Sequence, residues 1–344
     1  MRLPAQLILW FVVASIAIGA NATSARGENA ANESPGFFIF HFENDVLGTD
    51  DSDLGYTNGL QFSYLTGNNQ VWPWLDGWAR KHLFKRQNLS LRAYFALGQN
   101  LYTPEDLSRS EIILDDRPYA AWLHADLGLV GHDDHMLRSL QFSIGVVGPA
   151  AQGEPVQSWI HQVIESPDPK GWGNQIGNEL ALLVVADQKW RNIVSLDGLP
   201  LLGSLGLQAD FSPHVGAAIG NVMSAASVGG TIRFGKGLEQ DFGPPRIHPA
   251  PPGSGYFADE SKVAWYLFLG VDGRAVLNNI FLDGNTFRNS HRVEKNTLVG
   301  DYLGGFAVSA LGMRVGLVYV NRTKEFELQD RASHFGSITI SFRL

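Results

Sequence analysis

The sequence predicts an all-β fold: an antiparallel transmembrane β-barrel of about twelve strands, with a short helix at its extracellular rim. Three observations predict it. First, segments in which apolar and polar residues alternate recur along the chain, the period of a strand with one apolar face. Second, their polar faces carry Gly, Ser, Gln and Thr with few charges, and glycine recurs inside them, as at Gly216, Gly220, Gly229 and Gly230. That pattern suits the crowded interior of a closed barrel better than the wet face of a soluble sandwich or lipocalin-like barrel, the competing reading. Third, after Ile18 no apolar run approaches the ~20 residues that a spanning helix needs. Lipid admits only helices or closed barrels, because backbone polar groups must pair internally. Segments of about ten residues, apolar outside and polar inside, are the outer-membrane signature.

The elements follow in order. Met1-Arg2, the apolar run Leu7–Ile18 and Ala20-Asn21-Ala22 form the basic, apolar and small-residue regions of an export signal over 1–22, with cleavage no later than about 25. The competing reading is an uncleaved anchor. Residues 23–35 are small and polar and read as a flexible start, and 36–344 read as a single barrel domain. Strands are expected near 37–43, around Leu60, Phe62 and Tyr64, over 89–100, from Leu123 to Leu129 and from Leu140 to Val146. Others are expected at 175–189, 205–220, 222–235, 261–276, 297–310 and 312–325. The last, Ser337–Leu344, alternates Ile338, Ile340, Phe342 and Leu344 with polar residues. It ends in leucine where many such barrels end in an aromatic.

With the mature N-terminus in the periplasm, the connections at 44–56, 101–118, 150–174 and 277–296 face outside, and the turn at 132–135 faces inside. The long 68–88 connection also falls inside. Its Trp72, Trp74 and Trp78 read as an interfacial element.

Composition removes other classes. With no cysteine, disulfide scaffolds and zinc-thiolate sites are excluded. With 26 Lys+Arg against 34 Asp+Glu, net −8, the chain lacks the basic footprint of a nucleic-acid binder. No G-x-S-x-G elbow, Walker or Rossmann pattern occurs.

Three motifs converge on one rim. Glu43-Asn44-Asp45 faces Tyr56-Thr57-Asn58-Gly59 across a loop holding Asp50, Asp51 and Asp53. Carboxylates and amides there could bind a hard cation such as calcium, although the spacing is not an EF-hand. The three loop aspartates read better as a solvated acidic loop. The second motif runs Gln99-Asn100-Leu101-Tyr102-Thr103-Pro104, then Arg109, then Asp116-Arg117-Pro118-Tyr119. Asp116 and Arg117 are expected to brace the rim as a pair. The third is Gly148-Pro149 followed by a short helix over 154–165, then Trp172-Gly173-Asn174-Gln175 and Asn178. Gln157 and His161 share one helix face, while Val156, Ile160, Val163 and Ile164 supply an apolar side. Such a helix can aim its polar face into the barrel mouth, with His161 as a candidate general base; the competing reading is a structural histidine. His132-Asp133-Asp134-His135 resembles a metal cluster but reads as a plain turn on the opposite side.

Taken in order across 37–190, these motifs resemble the outer-membrane lipid A 3′-O-deacylase family. The resemblance rests on Asn44-Asp45, Tyr56-Thr57, Gln99–Pro104, Asp116–Tyr119, Gly148-Pro149, Gln157-x-x-x-His161 and Trp172-x-x-Gln175-x-x-Asn178. It implies a twelve-stranded barrel that hydrolyses the 3′ acyloxyacyl ester of lipid A with calcium, at a site on the cell exterior. It implies His161 as base with Gln157 beside it, and Asn44, Asp45 and Thr57 lining the site. Arg109 stands where one member carries lysine. Pro167 stands where the family's metal-binding glutamate follows the histidine, which leaves Glu165 and Asp168 as nearby carboxylates to join Asp45 as metal ligands. The chemistry is coherent: a histidine deprotonates water, and Arg109 could meet the oxyanion or a lipid phosphate. Lipopolysaccharide is then the partner, the outer membrane the location, and the chain is expected to be a monomer. A non-enzymatic channel or structural barrel and a phospholipid acyl hydrolase are the alternatives. Rings of lumenal charge would favour a channel, and few interior charges are visible.

Overall fold

The computed structural model describes residues 34–45, 55–86, 88–164, 166–196, 200–244 and 263–344. The expected export signal, most of the polar segment after it, and Asp50, Asp51 and Asp53 lie outside the described residues. Twelve strands form the wall. They are β1 (Phe37–Asn44), β2 (Gly55–Leu65), β3 (Ser90–Thr103), β4 (Ala120–His132), β5 (Met136–Val147), β6 (Glu179–Trp190), β7 (Gln208–Gly220), β8 (Met223–Lys236), β9 (Ala264–Asn279), β10 (Leu298–Ala310), β11 (Met313–Arg322) and β12 (Ser333–Arg343). A short strand, Asn192–Ser195, prolongs β6 beyond Arg191 along the same neighbour, β7. Every pairing is antiparallel. Strand β12 returns to β1, from Phe37↔Arg343 to Asn44↔Gly336, and closes the barrel. Among the described residues no helix is long and apolar enough to cross a membrane.

The alternation read from the sequence sets which residues face in. His41 and Glu43 on β1, Gln61 and Ser63 on β2, and His124 and Asp126 on β4 are buried inside; Phe40, Phe62 and Leu127 point out. Phe40 and Phe62 meet across the outer wall as a tilted pair with ring centroids 5.1 Å apart. Outward leucines such as Leu267 and Leu269 stay exposed, as a wall facing lipid requires.

The interior corrects one expectation. It is rich in charge. Asp301 on β10 takes paired hydrogen bonds from Arg322 (2.9 and 3.0 Å) and from Arg274 (3.0 and 2.9 Å). Arg233 holds Asp210 at 2.8 and 2.6 Å and also binds Asp241. These charges sit singly on separate strands, so each looks isolated in sequence; the register brings them together. They are paired and buried rather than arranged as open rings, as burial of charge demands. Small residues make room: a Cβ at Gly98 would stand 2.6 Å from the His124 ring, and one at Gly229 2.6 Å from the His214 ring.

Both ends of the lumen are filled. At the rim that carries Asn44 and Thr103, here the upper rim, helix α4 (Ile280–Asp283) buries Ile280, Phe281 and Leu282. Phe281 stacks on Tyr102 at 3.8 Å. At the lower rim the segment after β8 turns inward. Phe242 packs among Phe37, Tyr94, Val130 and Leu137, while Asp241 meets Arg314 at 2.9 Å and accepts from the Tyr266 hydroxyl at 2.9 Å. Arg191 leaves the β6 ladder to donate to the carbonyls of Glu239 (2.7 Å) and Asp241 (2.9 Å), which accounts for the break in that strand.

Three more helices lie at the rims: α1 (Pro73–Trp78) and α3 (Pro200–Gly203) at the lower rim, and α2 (Gly153–Ile164) at the upper. The 68–88 connection is therefore helical, continued by a π-turn over Ala79–Leu83.

Candidate functional site on the outer flank of the upper rim

Helix α2 is expected to lean over the mouth. It lies instead against the outside of the wall. The side chains beneath it are Leu101 on β3, Ala121 and Leu123 on β4 and Val146 on β5, all outward by alternation, together with Trp172, and Val156 of the helix packs on them. The approach is close. A Cβ at Gly153 would stand 2.6 Å from the Ala121 Cβ and 2.5 Å from the Trp172 ring, so only glycine fits there. The connection into α2 is pinned by Gln99 Nε2, which donates to the Ala151 carbonyl at 2.6 Å, and by Asn178 Oδ1, which accepts from the Ala150 amide at 2.7 Å. Gly148 carries φ +93°, and a Cβ there would meet the Gly177 backbone at 2.6 Å. The Gly148-Pro149 and Asn178 motifs thus fasten the helix.

The helix turns its polar stripe to the wall together with Val156, and leaves part of its apolar side outside. Gln157 and His161 are buried, whereas Trp159 and Val163 are exposed. Gln157 Oε1 accepts from the Trp172 indole at 2.7 Å. That contact orients the amide, and Gln157 Nε2 is buried with no hydrogen-bond partner among the described residues. His161 Nδ1 lies 2.6 Å from the Pro167 carbonyl oxygen. A carbonyl only accepts, so Nδ1 carries the proton and Nε2 is the basic nitrogen of the neutral ring. The Pro167 carbonyl is a functional group that the sequence could not display, because a backbone oxygen carries no residue-type signal.

Asn44, Asp45 and Thr57 are buried at the ends of β1 and β2. Asn44 Nδ2 donates to the Thr57 carbonyl at 3.0 Å. The β2–β3 register shifts between Tyr56 and Asn58, so Thr57 occupies a bulge. Its hydroxyl meets that of Thr103, an outward position of β3, at 2.6 Å. A bulge that re-aims one side chain is a common device beside a site. Asn44, Thr57 and α2 therefore share one flank, on adjacent strands of the outer wall.

Arg109 is placed elsewhere. It is exposed and lines a cleft with Glu105, Asp106, Asp115, Asp116, Arg117 and Asp330. The expected rim pair meets only through the backbone, the Arg117 amide donating to Asp116 Oδ1 at 2.7 Å, while the Arg117 guanidinium turns elsewhere. Asp116 Oδ2 accepts from the Glu105 amide at 2.8 Å, and Arg117 pairs with Glu325 at 2.7 Å. Burial pushes the Asp116 carboxyl above its ordinary range. Burial would also raise Glu325, but the Arg117 and Arg322 guanidiniums outweigh it and hold that carboxyl at about 2. The His132–His135 stretch is a turn, in which Asp133 Oδ1 accepts from the amides of His135 (3.0 Å) and Met136 (2.9 Å).

Of the three expected metal ligands, Asp45 is buried on the flank, Asp168 is exposed, and Glu165 lies outside the described residues. Among the described residues no three His, Asp or Glu side chains gather as a metal cluster. The donors on the flank are a carboxylate, amide and hydroxyl oxygens and backbone carbonyls. They fit a hard cation such as calcium in kind, with Asp45 as the described carboxylate.

Comparisons with known proteins complete the picture. The structure is similar to LpxR from Salmonella typhimurium, with a TM-score of 0.73 and 21% identity over 90% of this chain and 100% of that one. It is also similar to the β domain of the Bordetella autotransporter BrkA, with a TM-score of 0.46 and 10% identity over 90% of this chain and 98% of that one. No curated protein matches the chain. The model of the family described as outer membrane protein LpxR matches residues 7–344. With nearly the whole chain matched, the barrel belongs to this outer-membrane family, the lipid A deacylases that its rim motifs resemble.

Proposed function

We propose that the protein hydrolyses the 3′ acyloxyacyl ester of lipid A at the α2 flank, with His161 as general base and the upper rim facing the cell exterior. The observation that carries this reading is the buried Gln157–His161 stripe pressed against the outer wall. A buried polar group is costly unless it is hydrogen-bonded, and Gln157 Nε2 is a buried donor with no hydrogen-bond partner among the described residues, left to serve a ligand. A site on the outside of the wall is open to a substrate lying in the same leaflet, with no passage through the filled lumen. The acyl position is taken from the family.

The steps follow from the side chains. Nε2 of His161 removes a proton from water as that water attacks the ester carbonyl, and Nδ1 stays bonded to Pro167 throughout. The carbonyl oxygen gains negative charge, and the Gln157 amide N–H donates to it. The tetrahedral intermediate then collapses, the carbon–oxygen bond to the sugar breaks, and the sugar oxygen takes the proton back from Nε2. The products are the acyloxyacyl acid and a free 3′ hydroxyl. Asn44 and Thr57, each held by a neighbour, shape the wall side of the site. Calcium bound through Asp45, with Glu165 or Asp168 as further donors, would supply Lewis-acid stabilisation of the oxyanion.

Mass spectrometry of lipid A after incubation with the refolded barrel tests the reading. Calcium-dependent loss of one acyloxyacyl group, absent with chelator, is expected. Unchanged lipid A with a folded barrel and calcium present would sink it. Release of acyl chains from phospholipid alone would move the assignment to a phospholipid hydrolase.

A further inference from the structure

We propose that α1 and its π-turn form an interfacial anchor, seated in the phosphate-bearing headgroup layer of the leaflet at the lower rim. That leaflet is the inner one if the upper rim faces the exterior, and to that extent the inference rests on the proposed function.

The segment built around α1 and its π-turn covers part of the outer wall. Val71, Ala79 and Phe84 pack on Leu91, Ala93 and Leu129. Leu91 and Ala93 lie on the outward face of β3, because Arg92 and Tyr94 between and beyond them are inward. Leu129 lies on the outward face of β4, in step with Leu127. The element is therefore laid on the outside of the barrel, on a surface that otherwise meets lipid. It is fixed there by more than apolar contact. Arg80 donates to the Leu89 carbonyl at 2.8 Å and to Asp76 at 2.9 and 3.0 Å, and Arg138 donates to the Phe84 carbonyl at 2.9 Å.

The face turned away from the wall is not a water-facing one. Trp72, Trp74 and Trp78 are all exposed, Trp74 at 72%. Trp72 meets the outward Phe95 ring edge-on, at 6.2 Å between centroids. Phe95 continues an aromatic row around the wall: the register pairs Phe342 with Phe38, Phe38 with Tyr64 and Tyr64 with Phe95. Tryptophan at the level of such a row is the hallmark of the membrane–water interface. The chemistry of the occupant follows from charge. Lys81 and Lys85 are exposed on the stretch directly after the tryptophans, with Arg86 beside them in contact with Asp133 at 2.8 Å. Tryptophans with lysines at one edge complement a layer that is apolar below and phosphate-bearing at its surface, as in other interfacial helices.

The chain has no cysteine, so one introduced thiol can be labelled alone. Gly77→Cys keeps all three tryptophans, and a side chain there meets nothing within 4 Å. A nitroxide at this position in the full barrel, reconstituted in vesicles of phosphatidylethanolamine and phosphatidylglycerol, reports oxygen against nickel-chelate accessibility. Asp134→Cys, in the exposed lower-rim turn, is the aqueous reference. The expected oxygen-to-nickel ratio is several-fold higher at position 77 than at 134, and it falls when Lys81→Glu and Lys85→Glu are added. Equal ratios at the two positions overturn the anchor. A ratio unmoved by the lysine changes overturns headgroup recognition. Lipid A cleavage is measured on the same samples: its absence would count against the proposed function, while the accessibility ratio decides the anchor separately.

Discussion

Two short helical elements lie on the outside of the same two strands, β3 and β4, at opposite ends. They bury opposite kinds of face. At the lower rim the π-turn that continues α1 brings Ala79, and Phe84 just after it, to the wall, and the element leaves three tryptophans outside. At the upper rim α2 turns Gln157 and His161 to the wall and leaves Trp159 and Val163 outside. Apolar burial needs no further explanation, because it is what holds an amphipathic element to a surface. Polar burial at an equivalent position costs stability where a donor is left unbonded, as Gln157 Nε2 is among the described residues, and here it coincides with an oriented amide and a histidine of defined tautomer. On the proposed function, the difference separates an element that fastens to the barrel from one that carries the chemistry.

The sharpest test removes the base. His161→Ala is expected to lower the rate of lipid A deacylation by about 10²–10⁴, the usual worth of a positioned general base, with the folded barrel retained. Full activity in that variant would break the comparison outright. Next in size is Gln157→Ala, expected to cost about 10²–10³ if its amide stabilises the oxyanion. Trp172→Phe, which removes the indole N–H that donates to the Gln157 amide oxygen and orients it, should move activity in the same direction by less. An unaltered rate in Gln157→Ala would return the glutamine to a structural role.

Much of this architecture was legible from alternation. The strands read at 205–220, 222–235 and 297–310 appear as Gln208–Gly220, Met223–Lys236 and Leu298–Ala310. A barrel wall is dictated locally, since each residue need only face lipid or lumen. What escaped is what depends on several strands at once. Asp301 and its two arginines lie on three strands, so the lumenal ion pairs surface only with the register. The side of α2 that meets the wall is likewise unreadable from its pattern, because the apolar residues divide: Val156 packs on the wall cluster while Val163 is exposed. That Gln157 and His161 share one helix face was readable from their spacing. The group that fixes the histidine, the Pro167 carbonyl, was not.

A smaller effect is expected from the mouth, away from both helices. Glu325 is held at about 2 by Arg117 and Arg322, against an ordinary carboxylate value of 4.5. A folded value below the unfolded one means that the clasp stabilises fully above the unfolded value and is lost as pH falls toward 2. Glu325→Gln should therefore lower the unfolding temperature at neutral pH, with the deficit against the parent shrinking in acid. Deacylation at neutral pH should persist, because the clasp lies on the lumenal side and the site on the outer one. A deficit that is the same at both pH values would show that the clasp contributes by packing alone.

The smallest effect is expected at Arg109. It is exposed, and the carboxylates of Glu105, Asp106, Asp115 and Asp116 share its cleft. A cation so surrounded is partly neutralised, and an exposed charge of this kind contributes little. An anionic headgroup approaching the cleft would also meet those carboxylates. Arg109→Ala should leave both kcat and KM for lipid A close to the parent values, whereas Arg109→Lys would be silent for the same reason. A large rise in KM would instead place a substrate phosphate in the mouth cleft, and a large fall in kcat would carry the reacting ester there. Either result would shift the chemistry from the outer flank toward the lumen and undo the contrast between α2 and α1.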